Sequence, residues 1–85
     1  MASYNLSFKK SVAKDLRAIP PADIKRILKR IEQLREDPRA EGCLKLSGQE
    51  RYRTRVGVYR ILYEILDQEV LIIVVKIAHR REIYR

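Results

Sequence analysis

Cysteine occurs once in this sequence, at Cys43, so no disulfide can form within the chain. Such a chain is expected in a reducing cytoplasm. Histidine also occurs once, at His79, and one histidine with one cysteine does not supply a zinc site. Long apolar runs are missing too. The longest, Val70–Val75 ("VLIIVV"), is far too short to span a bilayer and reads as a buried strand. The start, "MASYNLSFKK", lacks the apolar h-region of an export signal. Without repeats, low-complexity tracts or a dividing linker, residues 1–85 are expected to form one domain.

Negative charge is the scarcer sign. Nineteen Lys and Arg against eleven Asp and Glu leave a formal charge of +8 on 85 residues, which points to nucleic acid, an acidic protein partner, or both. Most of the cations are arginine, whose planar fork suits bidentate phosphate contact.

The periodicities give a coarse order. Tyr4, Leu6 and Phe8 alternate with polar residues, predicting a short strand over Ser3–Phe8. Val12, Leu16 and Ile19 fall at helical spacing, predicting a helix from about Lys9 to Ala18. Pro20-Pro21 ends it and opens a second helix, which carries an apolar stripe of Ile24, Ile27, Leu28, Ile31 and Leu34 and stops by about Glu36, before Asp37-Pro38. Pro38 to Glu50 reads as a loop anchored by Leu44 and Leu46. Three strands follow, at about Arg51–Val56, Val58–Leu66 and Glu69–Ile77, with turns at Gly57 and Asp67-Gln68. Strands joined so tightly are antiparallel. The expected fold class is α+β, in the order βααβββ, with a helical hairpin packed on one face of a small antiparallel-rich sheet.

Within this frame "RYRTRVGVYR", residues 51–60, stands out. Arg51, Arg53 and Arg55 share one strand face, Tyr52, Thr54 and Val56 the other. A turn centred on Val56-Gly57 would set Arg53 opposite Arg60, a like-charge pair that normally destabilises a sheet. The bland reading is a solvated face made basic for solubility. Arginines converging on one patch are better explained by a polyanion that relieves their repulsion.

The stretch "KLSGQERYRTRVGVYRILYEI", followed by "VVKIAHRREIYR", resembles the RelE/ParE superfamily of bacterial and archaeal toxin–antitoxin toxins, and the likeness runs over essentially the whole chain. Its RelE branch comprises ribosome-dependent mRNA endonucleases, which enter the ribosomal A site and cut the codon there. The resemblance implies attack by a 2′-OH on the adjacent phosphate, without metal or small-molecule cofactor. It also implies catalytic roles for Arg53, Arg55, Arg60, Arg80 and Tyr84. Arg60 and Arg80 would clamp the scissile phosphate, with Tyr84 stacking or hydrogen-bonding beside them. Arg51, His79 and Arg81 join them as RNA-contacting candidates. RelE itself has lysines where Arg53 and Arg55 stand, and arginine does not give up its proton. The general base then falls to Tyr84, His79 or the ribosome. The C-terminal helix that some relatives carry is not expected here.

Other residues have plainer readings. Tyr52, Tyr59 and Tyr63 are expected to pack the sheet, Cys43 to be a small loop residue, and a lone histidine at a strand end to be a surface group. Partners implied by the resemblance are a cognate antitoxin, the ribosome and mRNA, with no membrane. The antitoxin is expected to wrap the exterior, excluding the toxin from the ribosome and disturbing the terminal "REIYR". Two alternatives stand beside this: a ParE-like toxin that inhibits DNA gyrase and cuts nothing, and a basic module that only binds RNA or an antitoxin.

Overall fold

The structure, a computed structural model, describes residues 3–46, 51–79 and 81. Its elements follow in the order β1 (Asn5–Phe8), α1 (Lys10–Arg17), α2 (Pro21–Glu36), β2 (Leu44–Lys45), β3 (Arg51–Val56), β4 (Tyr59–Leu66) and β5 (Leu71–His79). Pro21 occupies the first turn of α2, where its missing N–H would have no partner in any case, and Asp23 in the same turn complements the helix dipole. Lys14 and Arg17 do the corresponding work in the last turn of α1. Among the described residues no helix is long and apolar enough to cross a membrane.

The strands form one mixed sheet in the order β1-β5-β4-β3-β2, with β1 parallel to β5 and every other pairing antiparallel. Both helices lie on one face. Val12 from α1 and Ile27, Ile31 and Leu34 from α2 are buried in the same cluster as Ile61, Tyr63, Ile72 and Val74 of the sheet. The expectation that Tyr52, Tyr59 and Tyr63 pack the sheet is met, since all three are buried there. The α+β class with a helical layer on one face is likewise observed.

Several boundaries differ, for physical reasons. Leu44–Lys45 is a fifth strand inside the expected loop, too short to show any period, and pairs with Arg53 and Tyr52. Leu44 is 54% exposed and so anchors nothing, and Leu28 of the apolar stripe is 41% exposed. β4 begins at Tyr59 rather than Val58, because the turn is Gly57-Val58, closed by a Val56–Tyr59 pair. Gly57, at φ +57°, takes the left-handed conformation that a side chain would disfavour. β5 runs to His79 rather than Ile77 and starts after a single 3-10 turn, Asp67–Glu69.

A register shift between Leu62 and Tyr63 puts Lys76 opposite Leu62 but Val74 opposite Tyr63. This bulge explains how Val74 and Ile77, three apart in one strand, are both buried in the core cluster. β1 pairs only with Leu71–Val74, leaving the later part of β5 without that neighbour. Asp15 of α1 fills in: its Oδ2 accepts the Ile77 N–H at 3.1 Å while Oδ1 meets Lys76 Nζ at 3.5 Å.

At the end of the sheet away from Gly57, side chains lock four segments together. Arg39 donates to both carboxylate oxygens of Asp67, at 3.1 and 2.8 Å, and its Nε donates to the Tyr52 hydroxyl at 3.1 Å. Tyr4 donates to Asp67 from β1's side at 2.9 Å. These two donors hold the Asp67 carboxyl below its ordinary value, Arg39 contributing most. Tyr63, stacked on Tyr52 at 5.8 Å, donates to the Pro38 carbonyl at 2.7 Å. Burial pushes its phenol far above the ordinary range.

Candidate nucleic-acid interface

The two-residue turn sets the register of the β3–β4 hairpin, and the register sorts the arginines. Arg51 faces Glu64, Arg53 faces Leu62, and Arg55 faces Arg60. The like-charge pair is therefore Arg55–Arg60; the Arg53–Arg60 pairing required a turn one residue earlier. All four arginines lie on the face turned away from the helices, since Tyr52, Thr54, Tyr59 and Ile61, which alternate with them, are buried on the other.

Their environments differ sharply. Arg51 Nε donates to Glu64 Oε2 at 3.1 Å, so its charge is largely answered within the sheet. Arg55 is exposed and Arg53 half-buried. The Arg53 Nε is buried and makes no hydrogen bond among the described residues. Arg60 is 3% exposed. A guanidinium in so poorly hydrated a site exerts a stronger field than one in water. Among the described residues no carboxylate forms an ion pair with Arg53 or Arg55. A cleft of about 380 Å3 opens beside them, where Arg30, Gly42 and Leu44 approach β3. Arg30 is occupied there, donating to Thr54 Oγ1 at 3.1 Å and to Cys43 Sγ at 3.5 Å.

His79 is not part of this patch. It pairs with Tyr59 and stacks edge-on against that ring, at 5.8 Å and 79°, on the helix-covered face. Arg60 pairs with Ala78 and points the other way. Arg81 is exposed and borders the same groove as His79. Of the RNA-contacting candidates, His79 and Arg81 thus border the groove on the helix-covered side, while Arg51 lies on the arginine face. Arg80 and Tyr84 lie outside the described residues. Among those described, no group of three His, Cys, Asp or Glu side chains gathers that could hold a metal ion.

What this geometry offers is an exposed Arg55 and a half-buried Arg53 beside the buried Arg60 on one sheet face, guanidinium groups of the type that suits a phosphate. The family model for the ParE toxin of type II toxin–antitoxin systems matches residues 6–84. The chain belongs to the RelE/ParE superfamily. It is a RelE-like toxin of a toxin–antitoxin pair. The putative toxin RelE1 of Methanocaldococcus jannaschii is 33% identical over 96% of each chain. Toxin RelG of Mycobacterium tuberculosis is 30% identical over 96% of this chain and 97% of its own. Among solved structures, the archaeal RelE–RelB complex from Pyrococcus horikoshii OT3 superposes with a TM-score of 0.82 at 28% identity, covering 92% of this chain and 96% of that one. Sequence reasoning missed that Glu64 answers Arg51 in this toxin. The signal was present: moving the turn to Gly57-Val58 pairs 51 with 64 automatically.

Proposed function

We propose that the chain is a ribosome-dependent mRNA endoribonuclease that arrests translation in the cytoplasm until an antitoxin chain covers it. The observation that carries this reading is the Arg55–Arg60 cross-strand pair with Arg53 beside it, on the face turned away from the helices. Two cations held opposite one another weaken a sheet. A phosphodiester lying across them turns that repulsion into attraction. In the reaction the 2′-oxygen of one nucleotide forms a bond to the adjacent phosphorus, and the bond from phosphorus to the 5′-oxygen of the next nucleotide breaks. A cyclic 2′,3′-phosphate remains, and the departing 5′-oxygen takes up a proton. Charge builds on the equatorial phosphate oxygens, and Arg60, already desolvated, is suited to stabilise it with Arg55 and, from the C-terminal segment, Arg80. Arginines at 53 and 55 assign this strand to electrostatics and positioning rather than proton abstraction. Tyr84 is then the candidate for stacking on the splayed nucleotide or for moving its proton.

The partner reading rests on the same surface. Relatives are known in complex with RelB antitoxins, as in the Pyrococcus horikoshii RelE–RelB structure. A chain of charge +8 would attract an acidic, disordered segment that folds as it wraps. Primer extension on an mRNA after induction, with translation running or blocked, tests the enzyme. Cuts within codons on translated message alone are expected. Intact RNA together with defective DNA supercoiling would instead assign the gyrase-directed activity of ParE-like toxins.

A further inference from the structure

Where β2 stops, the arginine face meets an open edge. β2 pairs only Leu44 and Lys45 with Arg53 and Tyr52, so among the described residues no strand runs beside Thr54–Val56 on that side. The cleft of about 380 Å3 lies there, lined by Arg30, Gly42, Leu44, Arg53, Thr54 and Arg55, with no carboxylate among them. Leu44 stands directly opposite Arg53, hence on the same face, and at 54% exposed it fills no core. Arg53 buries its Nε without an acceptor among the described residues. Arg30 is the converse case. Its Nε donates to the buried Thr54 hydroxyl at 3.1 Å, its Nη1 to Gln33 at 3.3 Å, and its Nη2 to the Glu41 carbonyl and to Cys43 Sγ. A guanidinium with its edges so engaged still offers a ligand its flat face. Gly42, at φ +91°, helps to keep that group uncovered, because a Cβ there would lie 3.6 Å from Arg30 Nη2.

We propose that this cleft is a nucleobase subsite: it takes the unpaired base of a nucleotide flanking the cut, with the ring against Leu44 and the Arg30 guanidinium, an acceptor on the base edge meeting Arg53, and the adjoining phosphate at Arg55. The proposal rests on the endoribonuclease reading above and adds to that surface a contact that does not depend on charge. A base combines the two things the cleft asks for, a flat face for an apolar wall and a fixed guanidinium, and acceptors on its rim for an unanswered N–H. The cleft is at the small end of ligand-sized pockets, which suits one base. An acidic peptide, the other anion that a chain of charge +8 attracts, would bring a carboxylate to the arginines and leave Leu44 facing water.

The test removes the base and keeps the charge. Single-turnover cleavage on programmed ribosomes is measured with messages carrying an abasic nucleotide at each position flanking the scissile phosphate in turn. For wild type, one of these abasic messages should be cut about 5- to 150-fold more slowly than intact message, the range a stacked base contributes. Leu44→Ala, an exposed position whose truncation should leave thermal melting unchanged, should slow the intact message toward that abasic rate and leave the abasic message itself unaffected. The Leu44 methyl resonances supply a readout that needs no enzyme activity. A short oligoribonucleotide, blocked against cleavage by 2′-O-methyl groups, should shift them, and the same backbone without bases should not. An abasic position that costs as much in Leu44→Ala as in wild type, or methyl resonances that respond alike to both oligomers, overturns the subsite. Methyl resonances that answer an acidic peptide and ignore the oligoribonucleotide overturn it too, and give the cleft to a protein partner. If no message is cut while the methyl resonances distinguish the two oligomers, the endoribonuclease reading fails and the base subsite stands as an RNA-binding site.

Discussion

At Arg51, where β3 begins, the cross-strand partner is Glu64; four residues on, at Arg55, it is Arg60. The same residue type, on the same face of the same hairpin, is answered at one end and opposed at the other. The contrast extends across the sheet. Toward the end away from Gly57, Arg39 is closed into a network with Asp67, Tyr52 and Tyr4. That end reads as selected for stability. Toward the turn, like charges face one another across the hairpin on the side the helices do not reach, which weakens the sheet there.

Four changes would break or sharpen this contrast. The largest effect is expected at Arg60. Arg60→Gln removes the desolvated charge while keeping a polar side chain, and should lower the cleavage rate about 100- to 1000-fold, as loss of a preorganised donor does. Single-turnover cleavage on programmed ribosomes measures it, and a near-normal rate would mean that the pair is not the phosphate site. Tyr63→Phe probes the other end. It leaves the buried Pro38 carbonyl without its donor and should destabilise the fold by about 1–3 kcal/mol in urea titration, with cleavage unaffected where the protein is folded. Leu62→Glu places a carboxylate opposite Arg53. It should stabilise the sheet by about 0.2–1 kcal/mol and at the same time depress cleavage, and a variant that gains both stability and activity would contradict the trade.

The smallest effect concerns acid. Asp67 has its carboxyl lowered in the folded state, by Arg39 first and Tyr4 second. Its contribution to stability is therefore complete above the unfolded carboxyl's pKa and is lost as pH falls through the lowered folded value. Thermal melts of wild type should lose ground over that acid window relative to Asp67→Asn, which has nothing there to titrate. Parallel curves would remove Asp67 from the account of acid sensitivity.

The helices were legible because proline and apolar spacing mark them directly: α2 starts at Pro21 and stops at Glu36, as its signals require. The arginine face was legible from alternation alone. The pairing across the hairpin was not, because one residue of turn placement changes every partner, and Gly57 is compatible with either placement. β2, two residues long, leaves no pattern to read. The placement of His79 was hidden for a related reason. Whether a strand-end side chain falls on the helical face or the arginine face depends on the bulge at Leu62/Tyr63, and no periodicity in the sequence announces it.

The parallel pairing of β1 with β5 has a consequence for how this protein is made. Asn5 leaves the ribosome early in synthesis, and its partner Leu71 is added only after both helices and the β3–β4 hairpin have been translated. β5 also stands between β1 and β4, so β1 has no strand to pair with until it arrives. The pairing is long-range and forms late. An incomplete nascent chain therefore lacks the strand whose Ala78 pairs with Arg60, and the arginine face is finished only once β5 has been translated.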